Sequence, residues 1–188
     1  MLTVICPYTN LHPLTRDSLR LAPRAVCTRL GNGDRSYWEF LSRLWAKGES
    51  VVLVEHDIEV HSGVVPGFES CPEPWCSHPF SRLLPGPHST WDGEGWSAGI
   101  ALLTKSLGCV RWSAELMAAE PDLMTVVGQM AFPGLPPGHW RRLDDAIAQV
   151  LEARKYSVHV HVPEVKHHHH LIDRGWDVCS CGDVECRP

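Results

Sequence analysis

The chain has 188 residues, with 17 Lys+Arg against 22 Asp+Glu and a formal net charge of -5 at pH 7. Its 44% hydrophobic and 21% charged residues exclude global disorder, and the lack of net positive charge argues against a nucleic-acid binder. No run reaches the roughly 18–20 apolar residues that span a bilayer. The opening MLTVICPYTN carries no secretory pattern, so an intracellular, cytoplasmic setting is expected.

Leu2 to Cys6 is a short apolar run that opens into Pro7-Tyr8-Thr9-Asn10, which predicts a buried strand followed by a loop. A weaker helical signal spans Arg16 to Leu21, and Gly31-Asn32-Gly33-Asp34 reads as a turn. Ser36 and Glu39 have the spacing of a capping box. Behind them Tyr37, Phe40, Leu41, Leu44 and Trp45 form one helical face, closed by Gly48 as C-cap. Val51-Val52-Leu53-Val54 predicts a central strand covered on both sides, running into Glu55-His56-Asp57.

Residues 61 to 95 are rich in proline and glycine and read as a long irregular loop, held by its cysteines and tryptophans. A strand is expected over Ala98–Leu103, and a helix capped by Ser113 from Ala114 to about Ala119. Trp140, Leu143, Ile147, Val150 and Leu151 mark a second amphipathic helix with Asp144 and Asp145 in its first turns. Val158-His159-Val160-His161-Val162 alternates as a strand with both histidines on one face.

Helix, short loop, buried strand, then acidic residues is the logic of an α/β fold, in which ligands sit beyond the carboxyl ends of the strands. Glu55 and Asp57 are therefore candidate ligands for a hard divalent cation, Mn²⁺ or Mg²⁺, and a diphosphate. His159 and His161 can share a metal or an anion. In the run His167–His170 one or two histidines at most can aim at a single point. Cys179, Cys181 and Cys186 are candidate ligands for a structural Zn²⁺, and Cys71 with Cys76 is a possible half-site or a pair packed on Trp75. Asp144 and Asp145 suit a helix N-terminus and are equally candidates for a general base. P-loop, GxGxxG, GxSxG and HExxH motifs are all missing.

The order of these pieces resembles the GT-A glycosyltransferases, and within them the small glycosyltransferase-like proteins of actinobacterial phages. The resemblance runs from Val4 to about His167: Val-Ile-Cys-Pro-Tyr-Thr (4–9), the helix from Tyr37 to Trp45, the strand from Val51 to Asp57, Cys-Pro-Glu-Pro-Trp-Cys (71–76), Trp140 to Asp144, and His159-Val160-His161-Val162-Pro163 on to His167. It implies an α/β, GT-A-like mixed sheet flanked by helices over residues 1–165, with a His/Cys-rich tail over 166–188. It implies a nucleotide-sugar donor held by Pro7, Tyr8, Thr9 and Glu55. Asp57 would ligate the cation, joined by one of His159, His161 and His167, with His161 preferred. Asp144 or Asp145 would be the base acting on an acceptor hydroxyl. The chain departs from the family's Asp-x-Asp at its first carboxylate, which is Glu55 here. The acceptor, a protein, a glycan or a modified base, is left open. Two other readings compete: a non-catalytic GT-A-like module holding zinc, and a metal-dependent hydrolase.

Overall fold

The computed structural model describes residues 2–22, 24–83 and 100–168. A six-stranded mixed sheet forms its centre. In chain order the elements are β1 (Thr3–Tyr8), α1 (Pro13–Ser18), β2 (Ala25–Arg29), α2 (Ser36–Lys47), β3 (Val51–Val54), β4 (Ile58–Glu59), α3 (Val64–Ser70), β5 (Trp75–Ser77), β6 (Phe80–Leu83), β7 (Ile100–Leu103), β8 (Cys109–Trp112), α4 (Ala114–Ala119), α5 (Leu123–Gln129), α6 (Leu143–Ala153), β9 (His159–Val160) and β10 (Lys166–His167). The main sheet runs β2-β1-β3-β8-β5-β9. β1 pairs in parallel with both β2 and β3, and β5 with β9, whereas β8 is antiparallel to its neighbours β3 and β5.

Because successive side chains of a strand point to opposite faces, the alternation sorts the core into two layers. Val51 and Leu53 of β3, Trp75 of β5, and Val110 and Trp112 of β8 pack under α2, α4, α5 and α6. Val52 and Val54, Val4 and Cys6 of β1, Cys76 and Cys109 face the other way, with Val64 and Phe68 of α3. All four residues of β3 are buried, as its unbroken apolar run predicts.

The helix expected from Tyr37 is α2. It buries Phe40, Leu41, Leu44 and Trp45 and ends on Gly48 in the left-handed region at φ 65°. Its start differs from the expected capping box. Ser36 is the first helical residue, Arg35 takes the cap position, and no side chain caps the helix. The turn before it winds straight in, with Ser36 N–H donating to the Gly33 carbonyl at 3.0 Å. Ser113 does cap α4: its Oγ accepts from the Leu116 amide at 3.1 Å.

The stretch from 61 is more regular than its composition suggests. It contributes α3, β5 and β6, because Val64, Phe68, Trp75, Cys76 and Phe80 all find buried places. The strand expected over 158–162 is short, with pairing of Cys76 to His159 and Ser77 to Val160. The His161 amide then donates to the Ser77 carbonyl at 2.8 Å. β10, in the segment expected to be tail, pairs antiparallel with β4, His167 opposite Ile58. Cys179, Cys181 and Cys186 lie outside the described residues.

Candidate functional site

The parallel strands β1 and β3 end on the same side of the sheet. Pro7 and Tyr8 are the last residues of β1, Thr9 is exposed just beyond it, and the Tyr8 carbonyl accepts from the Leu30 amide at 2.7 Å. The loop after β1 returns to β3, where the His12 amide donates to the His56 carbonyl at 2.9 Å. β3 itself continues into Glu55, whose amide donates to the Gly108 carbonyl at 2.8 Å. Glu55 is thus fixed at its backbone by the adjacent antiparallel strand. Its side chain is fixed by α2, because the Tyr37 hydroxyl donates to Glu55 Oε1 at 3.1 Å. Burial, and then the Glu55 charge, push the Tyr37 phenol well above its ordinary value, so it stays a neutral donor.

Asp57 is the centre of the arrangement. Its Oδ2 lies 3.1 Å from His167 Nε2, both side chains being largely buried. Burial by itself would raise the Asp57 pKa. The hydrogen bond and charge of His167, with His56 nearby, outweigh it and hold the carboxyl at about 2. The other oxygen, Oδ1, is buried without a hydrogen-bond partner among the described residues. An ionised, buried carboxylate oxygen with no donor is costly unless something positive sits against it.

The strand that delivers His167 is anchored around this pair. The His168 amide donates to the Asp57 carbonyl at 2.8 Å. His168 Nε2 lies 2.9 Å from Glu59 Oε2, and its ring stacks on His12 with centroids 4.3 Å apart. The His167 ring stacks on Phe80 at 4.9 Å. Sequence reasoning misses Tyr37, His12, Glu59 and His168, since each acts through a partner distant in the chain. The histidine run was the one visible signal for His168.

The two aspartates of α6 separate. Asp144 is half-buried and accepts from Ser106 Oγ at 3.0 Å, and its charge is among the lesser causes that raise the Tyr37 pKa. Asp145 is exposed and pairs with Arg142 at 2.7 Å.

The three candidate histidines separate as well. His167 meets Asp57. His161 lies in another group, where its ligand nitrogen and the sulfurs of Cys71 and Cys76 are within 4.8 Å of one another. His159 is exposed, with its ring 4.9 Å from that of His161. His159 and His161 thus share one face, and the candidate histidine in contact with Asp57 is His167.

Asp57 and His167 bring two donor groups together, and the buried Asp57 Oδ1, unpartnered among the described residues, is the atom against which a hard cation would fit.

No protein-family model matches the sequence, and no characterised protein sequence does. Among solved structures, a glycosyltransferase involved in the glycosylation of the major capsid of PBCV-1 is similar with a TM-score of 0.50 and 11% identity, covering 86% of this chain and 82% of that one. A197 from STIV gives a TM-score of 0.49 at 11% identity over 91% of this chain and 86% of that one. CMP:2-keto-3-deoxy-manno-octonic acid synthetase, complexed with CTP, gives 0.46 at 12% over 88% and 90%. The first of these, with the mixed sheet and flanking helices, shows a GT-A-like α/β fold. No helix among the described residues is long and apolar enough to cross a membrane.

Proposed function

We propose that the protein is a divalent-metal-dependent glycosyltransferase that moves a sugar from a nucleotide-sugar donor to an acceptor hydroxyl. The observation that carries this reading is the buried Asp57–His167 pair, with one carboxylate oxygen unpartnered, at the carboxyl end of the central strand of a GT-A-like sheet.

Asp57, through Oδ1, would hold the cation together with His167, whose Nε2 would first give up the proton it shares with Asp57 Oδ2; Glu55, two residues earlier in the chain, would be the further carboxylate. When bound, a divalent cation stabilises the negative charge that grows on a departing diphosphate. Pro7, Tyr8 and Thr9 border the donor's place at the end of β1 and orient its nucleoside. The Tyr37 hydroxyl holds Glu55 in one rotamer, so the carboxylate needs no reorientation when the donor arrives. Asp144 takes the proton of the acceptor hydroxyl, with the Ser106 hydroxyl fixing its orientation. This assignment of the base is for an inverting displacement, in which the acceptor oxygen forms its bond to the sugar as the bond to the diphosphate breaks.

The resemblance to phage-encoded transferases supports a host-cytoplasmic setting. The acceptor is a protein, a glycan or a modified base. Incubation with UDP-, GDP- and CMP-sugars, with and without Mn²⁺, tests the reading. Mn²⁺-dependent release of one nucleotide, lost in Asp57→Asn, supports it. Turnover of a substrate that is not a nucleotide-sugar would replace it with the hydrolase reading. Binding and turnover of neither would leave a non-catalytic module.

A further inference from the structure

A second constellation lies apart from Asp57 on the α3 face of the sheet. Cys71 is the residue on which α3 ends, Cys76 is central in β5, and His161 follows β9. The topology makes their meeting specific. Cys76 is in register with His159, and in a parallel pair registered residues share a face. His161, two positions on, is on that face too. The chain reversal after α3 returns Cys71 to it.

Two features point to a ligand, and a third orders the loop that carries the sulfurs. The ligand atoms of Cys71, Cys76 and His161 already lie within 4.8 Å of one another. Two sulfurs and a nitrogen around one tetrahedral ion stand about 3.5–3.8 Å apart, from metal–ligand distances of roughly 2.0–2.3 Å. The His161 Nε2 is buried and has no hydrogen-bond partner among the described residues. Arg111 Nη1 lies 3.6 Å from Cys76 Sγ and donates to the carbonyls of Glu73 at 2.7 Å and Cys71 at 3.3 Å. That guanidinium orders the Cys71–Cys76 loop, while burial, which its hydrogen bond to the sulfur offsets only in part, holds the Cys76 thiol up at about 12.

We propose that Cys71, Cys76 and His161 bind a structural zinc ion. Two thiolates and an imidazole are soft and borderline donors, which select zinc over Mn²⁺ or Mg²⁺. The fourth position is left to a water or a further side chain; the imidazoles beside His161 are those of His159 and His78, with ring centroids 4.9 and 5.1 Å from its own. Each thiol loses its proton to solvent as it ligates, and the sulfur lone pair forms the bond to the metal. The ion ties the end of α3, the β5 strand and the segment after β9 into one unit. That segment leads to β10, so the site would brace the stretch that carries His167. The proposal stands whether or not the Asp57 site transfers sugars.

The test uses the full chain with Cys179, Cys181 and Cys186 all changed to Ser, so that the tail thiols contribute nothing. Expressed with zinc and purified under reducing conditions, this protein is expected to hold one equivalent of zinc by elemental analysis. Co²⁺ put in its place is expected to show the charge-transfer bands of thiolate ligation. Adding Cys76→Ser or His161→Ala is expected to weaken zinc binding at least about 100-fold, beyond the roughly 10–100-fold that loss of an outer-shell partner costs. Should those variants not fold, alkylation of the natural chain gives the answer: Cys71 and Cys76 are expected to be protected with zinc and to react after chelation. No bound zinc, a Co²⁺ spectrum without thiolate bands, or a Cys71–Cys76 disulfide in the reduced preparation would overturn the proposal.

Discussion

Asp57 Oδ2 and His167 Nε2 meet at 3.1 Å, joining the end of the central strand β3 to β10. In the proposed function this pair is what turns a row of acidic residues after a strand into a site. It also gives His167 and His161 different partners, which yields the first expectation. His167→Ala is expected to weaken Mn²⁺-dependent nucleotide binding by at least about 100-fold, on the scale of losing a ligand rather than an outer-shell partner. His161→Ala is expected to leave that binding within a few-fold and to lower thermal stability instead. Titration calorimetry on both variants checks this. Equal losses for the two would mean that the histidines act at one site.

Asp144 and Asp145 are adjacent in sequence and different in surroundings. Asp144 is half-buried and oriented by Ser106, whereas Asp145 is exposed and paired with Arg142. Asp144→Ala is expected to lower kcat by roughly 10²–10⁴, the usual worth of a general base. Asp145→Ala is expected to change kcat less than about threefold, its exposed ion pair being worth little. Steady-state rates with a saturating donor decide it.

Gly108 couples packing to the site. A Cβ there would lie 2.2 Å from Phe80 Cε1, and the Phe80 ring stacks on His167. The ring is buried, so it has little space to retreat. Gly108→Ala is expected to cost about 1–3 kcal/mol, each lowering Tm by roughly 2–4 °C in a chain of this size. It is also expected to weaken Mn²⁺-dependent nucleotide binding, through the displaced ring. Calorimetric melting and the same titration read the two effects. An unchanged Tm would contradict the packing argument.

Acid stability has a traceable source in Arg154. This residue pairs with Glu120 and, through both guanidinium nitrogens, with Asp122, tying the end of α6 to the turn between α4 and α5. The hydrogen bond from Arg154 holds the Asp122 carboxyl below its ordinary 3.8. A carboxyl whose folded-state pKa is lowered stabilises the fold above its unfolded value. That contribution disappears as pH falls from there through the folded-state value. Arg154→Met is expected to lower Tm at neutral pH and to flatten the acid limb of the Tm profile below about pH 3.8. Because Asp122 is exposed, the difference should shrink in high salt. A variant that loses stability in parallel with the parent across that limb would show that Asp122 is not the source.

Much of the fold was legible because local pattern and tertiary placement agree. Val51–Val54 is buried throughout, α2 buries the face its spacing defines, and Gly48 caps it at positive φ. The short strands were harder. β8 is four residues and β4 two, and their pairing depends on partners far along the chain. The segment from 61 hid α3 because Pro66 and Gly67 sit inside it, where Val64 and Phe68 supply burial that propensity does not reveal. In the candidate site, the acidic triplet stood out from its place after β3. The contact of His167 with Asp57 did not. Strand alternation correctly puts His159 and His161 on one face, but that face belongs to Cys71 and Cys76. Only the pairing of β10 with β4 brings His167 to Asp57, and two residues of strand leave no periodic trace.

The most direct test of the account is a thermal-shift panel of UDP, GDP, ADP and CMP with their common sugars, with and without Mn²⁺, on the natural chain and on Asp57→Asn. A ligand that binds only the folded state raises the midpoint, by about 2.7 kcal/mol of stabilisation at a hundredfold excess over Kd. One nucleotide and its sugar are expected to give a shift that requires Mn²⁺ and is absent in Asp57→Asn. A shift that persists without Mn²⁺ and in Asp57→Asn, or no shift with any donor on a well-folded chain, would contradict it.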